Sequence, residues 1–71
     1  MRLRCYETIY LIKEVYADDT GIEFTTFDNK KLYYPVATNQ DEYYRKMKIK
    51  DKMNQLTISG YLEVFELEER N

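Results

Sequence analysis

Thirteen acidic and eleven basic side chains, eight tyrosines, one cysteine and no histidine are the groups with which this 71-residue chain could do chemistry. No catalytic set emerges from them. The commonest general base is missing, and Cys5 has no imidazole to take its proton, so it reads as a small apolar residue. A zinc site would need several thiolates or imidazoles that the composition lacks. The carboxylate pairs Asp18/Asp19 and Asp41/Glu42 stand where a turn and a helix start favour such residues, and the Asp-x-Asp spacing of a calcium loop is absent. Two glycines cannot build a phosphate-cradling loop. The residues therefore point to a non-enzymatic binding module that needs no metal and no cofactor.

Binding chemistry has better material. Tyr33, Tyr43, Tyr44 and Tyr61 stand close in sequence to Lys30, Lys31, Arg45, Lys46 and Lys48. Bases stacked on aromatic rings inside a basic groove give sequence-tolerant single-strand binding. In that alternative Tyr43 and Tyr44 stack, while Arg45, Lys46, Lys48, Lys50 and Lys52 meet phosphates. The leading reading assigns Tyr33, Tyr61 and Phe65 to a contact with a protein partner or a second copy, where tyrosine is also enriched. The formal net charge of −2 favours a protein, because a non-specific nucleic-acid binder draws its affinity from neutralising phosphates. Glu63, Glu66, Glu68 and Glu69 make the C-terminus acidic, and charge runs of either sign also serve simply as a solvated face.

A chain this short can form one domain only, residues 1–71, and must bury nearly every large apolar side chain. A lone cysteine fits a reducing cytoplasm. No apolar run approaches the ~18 residues of a membrane span, and no signal-peptide block opens the chain, so no membrane partner is expected. Arg2 to Tyr16 is rich in β-branched and aromatic residues, and Leu3, Cys5, Ile9, Leu11 and Val15 share one parity broken at Glu7 and Lys13. The reading is one long strand, bent or bulged, although a helix would align Cys5, Ile9, Ile12 and Tyr16. Asp18-Asp19-Thr20-Gly21 has turn chemistry. Ile22–Phe27 is a second strand, Asp28-Asn29-Lys30 a hairpin connection, and Leu32, Tyr34 and Val36 the inward side of a third strand, with Pro35 at an edge or strand end.

Asn39 followed by Glu42 reads as a capping box for a short helix over 38–46. Met47–Met53 suits a helix end or a strand. Gln55–Leu67 alternates as a final strand, with Leu56, Ile58, Leu62 and Val64 inward and Gly60 marking a bulge or bend. Residues 68–71 read as a frayed tail. The expected core is Ile9, Leu11, Val15, Ile22, Phe24, Leu32, Leu56, Ile58, Leu62 and Val64. Tyr6, Tyr10, Tyr33, Tyr61 and Phe65 exceed what so small a core can hold.

This order of elements, above all Ile12–Phe27 and the segment IKDKMNQLTISGYLEV over 49–64, resembles a small Greek-key barrel of the OB type, with an SH3-like barrel nearly as close. An open α+β sheet is the alternative. The resemblance implies a mainly β fold with one short helix, presenting a sheet face and loops to single-stranded nucleic acid or peptides.

Overall fold

The computed structural model describes residues 1–36 and 41–70. Its elements are β1 (Arg2–Cys5), β2 (Thr8–Ala17), β3 (Gly21–Thr26), β4 (Lys31–Pro35), α1 (Glu42–Ser59), β5 (Tyr61–Val64) and β6 (Glu68–Arg70). The fold is mainly β with one helix. Its six strands form one open sheet in the order β5-β1-β2-β3-β4-β6, antiparallel except for the β1–β5 pair. A closed barrel is not formed, since β5 and β6 are both edges. The sheet is nevertheless curled. Four Cα steps from Val64 to Glu68 span at most ~14 Å, whereas the edges of a flat six-stranded sheet would lie ~24 Å apart.

The long first strand is two strands. Tyr6 and Glu7 form a two-residue reversal, with Tyr6 at φ 54°. Leu3 then pairs with Tyr10, so Tyr10 and Ile12 face the core while Ile9 and Leu11 face outward. At Lys13 the β2–β3 register shifts by one residue, as a bulge does, and Val15 and Ala17 turn inward. The expected burial of Ile9 and Leu11 is therefore wrong, and both are exposed. The Asp18–Gly21 turn is present: the Asp18 carboxylate accepts from the Thr20 and Gly21 amides (2.8 and 2.9 Å). Asn29 takes the left-handed conformation (φ 67°) in the β3–β4 connection, and Pro35 ends β4.

The larger correction concerns 42–59, which is one helix. Asp41 is its N-cap, accepting from the Tyr44 amide at 2.8 Å; the expected cap, Asn39, lies outside the described residues. Ile49, Met53 and Leu56 recur at helical spacing and pack against the sheet. Gln55–Ser59 is thus the last part of a helix, not a strand, and Ile58 is 85% exposed. Gly60 ends the helix in the left-handed region (φ 68°), its N–H bonding the Leu56 carbonyl at 2.8 Å. It is a cap, not a bulge within a strand. A Cβ at Gly60 would meet nothing within 4 Å, so the cost of substitution is conformational. Gly60→Val should lose about 1–2 kcal/mol and Gly60→Asn much less. Urea midpoints measure the difference, and equal midpoints would reject the cap as the cause.

From the end of β4 the chain crosses to the opposite edge, where β5 pairs with β1. The three-residue link Phe65–Leu67 then returns it to β4. Leu67 packs on the core and Glu68–Arg70 pair with Lys31–Tyr33, so residues 68–70 are an edge strand and not a frayed tail. The core gathers Leu3, Ile12, Ile22, Phe24, Leu32, Tyr34, Val36, Leu62 and Val64 from the sheet beneath Ile49 and Leu56 of the helix.

Candidate protein-binding surface

The side of the sheet away from this core carries charged and aromatic residues in cross-strand rows. Tyr33 is on it, as its parity suggests, yet is only 3% exposed. The Arg70 guanidinium lies 3.6 Å from its ring centroid, a cation–π cover, and its hydroxyl reaches Asp18 (3.1 Å) and Thr20. Burial pushes that hydroxyl's pKa above its ordinary value; the bond to Thr20 opposes this, and the Asp18 carboxylate adds to it. The Tyr33 ring is thus covered in this structure. Tyr61 is half-buried, with Arg2 5.6 Å from its ring, and Arg4 pairs with Glu63 at 3.7 Å.

Asp18 ties this region together. Burial raises its pKa, but bonds from the Thr20 amide, the Tyr33 hydroxyl, the Thr20 hydroxyl and the Gly21 amide outweigh it and hold the carboxyl below its usual range. A pKa lower in the folded state than in the unfolded chain means that unfolding takes up a proton. Its stabilisation is present above the unfolded value of about 3.9 and fades as pH falls through the folded one. Asp18→Asn should therefore flatten the acid side of the melting curve below the unfolded carboxylate value of about 3.9 relative to the parent. Calorimetry across that window checks it, and parallel curves for the two proteins would contradict it.

At the β1–β2 hairpin end the surface changes character. Tyr6 and Phe65 stand edge-to-face with ring centroids 5.7 Å apart; Ile9, Leu11 and Phe27 line one cavity, with the Arg4–Glu63 pair next to Ile9 on its β1 side, and all five apolar residues are more than half exposed. Ile9 and Leu11 share the outward face of β2, and the Phe27 amide bonds the Leu11 carbonyl at 3.3 Å. The backbone there is also open. Met1 and Ile12 exchange both backbone bonds (3.4 and 2.8 Å), so by antiparallel alternation the amide and carbonyl of Ile9 point away from β1. No strand among the described residues pairs with that side of Ile9, since the β3 register begins at Ile12. Beside this edge is a shallow cavity of about 380 Å³ lined by Thr8, Ile9, Tyr10, Leu11, Thr26, Phe27, Asp28 and Lys30.

Of the residues expected to meet a protein, Phe65 belongs to this patch, Tyr61 lies two strands from Leu11 across Arg2, and Tyr33 is elsewhere and covered. Ile9, Leu11 and Phe27 were not among them. Break points at Glu7 and Lys13 were the signal that could have found them. The nucleic-acid set falls on α1, where Tyr43, Tyr44, Lys46 and Lys50 are exposed and Arg45 and Lys48 half-buried. At 3.6 residues per turn Lys46 and Lys50 lie along one flank and Arg45 and Lys48 along the other, so they do not line one groove. Lys46 also pairs with Glu42 at 3.0 Å.

Among the described residues no group of three His, Cys, Asp or Glu is placed to hold a metal ion, and no helix is long and apolar enough to cross a membrane. Comparison with protein families, curated proteins and solved structures returned no match.

Proposed function

We propose that the chain is a non-enzymatic protein-binding module, an adaptor or inhibitor, that docks through the hairpin-end patch of Tyr6, Ile9, Leu11, Phe27 and Phe65. The observation that carries this reading is the coincidence of five exposed large apolar side chains with the unpaired backbone of Ile9 at the strand edge. At roughly 100 Å² each they present on the order of 500 Å², comparable with the largest patch of a typical monomer, which is often functional. An open edge adds backbone donors and acceptors that an incoming segment can use. The scaffold we take to be an incompletely closed small barrel, OB-like or SH3-like in size. A reducing cytoplasm is its proposed setting.

Ile9→Glu with Phe27→Glu places two charges within the patch at exposed positions, so the fold should change by no more than about 0.5 kcal/mol per site. Sedimentation equilibrium of parent and variant then tests whether the partner is a second copy, and affinity capture tests for another protein. The reading requires an association made by the parent and lost in the variant. Identical behaviour of the two in both experiments would reject it.

A further inference from the structure

A second surface, independent of the patch, is the side of α1 turned away from the sheet. Only Ile49 and Leu56 of its 18 residues are buried, so most of its circumference is open. By helical geometry Tyr44, Met47, Asp51, Asn54, Gln55 and Ile58 form a ridge opposite Ile49, Met53 and Leu56. Lys46, which pairs with Glu42, and Lys50 run exposed along one flank of this ridge, and Lys48 and Lys52, both half-buried, run along the other, Lys52 beside Glu63 and Glu66 of the sheet edge. The helix carries five cations against two anions, a formal +3, while the remaining residues hold six cations against eleven anions, a formal −5.

We infer that α1 binds double-stranded DNA by lying in the major groove. A helix with its side chains is about 10–12 Å across and the groove about 12 Å wide, so lysine rows on opposite flanks meet the phosphates of both walls. Between them the ridge faces the base edges. Asn54 and Gln55 have the amide that pairs with adenine, and Met47 and Ile58 offer apolar contact to thymine methyls. A single strand has one backbone, which two rows facing apart cannot follow together. Duplex RNA closes its major groove to side chains. The charge polarity of the chain orients it, since the acidic remainder is repelled by DNA and the helix is drawn to it.

Four phosphate contacts give an expected slope of log affinity against log salt of about −3.6. Fluorescence anisotropy with a labelled mixed-sequence duplex of about 20 bp measures it, beside the matching single strand, the RNA duplex and poly-glutamate. The DNA duplex should bind at least about tenfold tighter than the other three. Lys46→Gln with Lys50→Gln, and Lys48→Gln with Lys52→Gln, should each lower the slope by about 1.8 while circular dichroism shows the fold retained. No duplex binding at low salt would overturn the inference. Equal or tighter binding of any of the other polyanions, or a slope that responds to one lysine pair alone, would overturn the groove geometry and the inference with it.

Discussion

Gly21→Ala lowers the melting temperature by at least about 12 °C, the equivalent of about 3 kcal/mol in a domain of this size. A Cβ on Gly21 would sit 2.3 Å from the Tyr34 carbonyl oxygen and 2.7 Å from both Cζ and the hydroxyl oxygen of Tyr33. The carbonyl belongs to the β3–β4 ladder, where Tyr34 stands opposite Ile22 and Pro35 opposite Gly21, so it cannot retreat without disturbing that pairing. The Tyr33 ring is held as firmly, between Arg70 above it and the Asp18–Thr20 turn at its hydroxyl. Thermal melting by circular dichroism should place Gly21→Ala well below Gly60→Ala, whose new Cβ has open space around it. The reverse order would show that β3, β4 and Tyr33 do not pack as described.

Leu56→Ala and Ile58→Ala separate the helix from the strand that alternation suggests. Leu56 is buried against the sheet residues and its truncation should cost about 2–4 kcal/mol. Ile58 is almost fully exposed and should cost less than about 0.5 kcal/mol. A strand with both residues inward would make the two losses similar. Urea denaturation of the pair gives the answer from midpoints at constant slope, and comparable losses would contradict the helix.

What the sequence concealed has specific physical causes. Leu3 and Val15 share parity and both face inward, but two reversals of parity lie between them, at the Tyr6–Glu7 turn and the Lys13 bulge, and the second cancels the first. Ile9 and Leu11, caught between, look like core and are surface. Leu56, Leu62 and Val64 share parity by coincidence, because the first is on a helix and the others on a strand beyond Gly60. The spacing of Ile49, Met53 and Leu56 held the helix signal, but alternating lysines and Thr57-Ile58 obscured it. The Asp18–Gly21 turn, β3 and Pro35 at the end of β4 were legible, since each rests on local chemistry. The fate of the acidic tail was not, because β6 forms through distant pairing with β4 and through Arg70 covering Tyr33. That cover also leaves Tyr33 only 3% exposed despite its outward parity.

The patch therefore arises from the two features that disguised it. Turn and bulge together leave a short stretch of β2 with its apolar face outward and the backbone of Ile9 unpaired on one side, and Phe27 extends that face where β3 ends. The most direct measurement is site-specific photo-crosslinking in the source cell, with the reactive amino acid placed in turn at positions 9, 27 and 65, and at position 14 on another part of the sheet. Position 14 serves as the control because Glu14 is also exposed and also on β2. The account predicts one discrete protein adduct, a second copy or another chain, shared by positions 9, 27 and 65 and absent from 14. Adducts at 14 with none at the other three would contradict it.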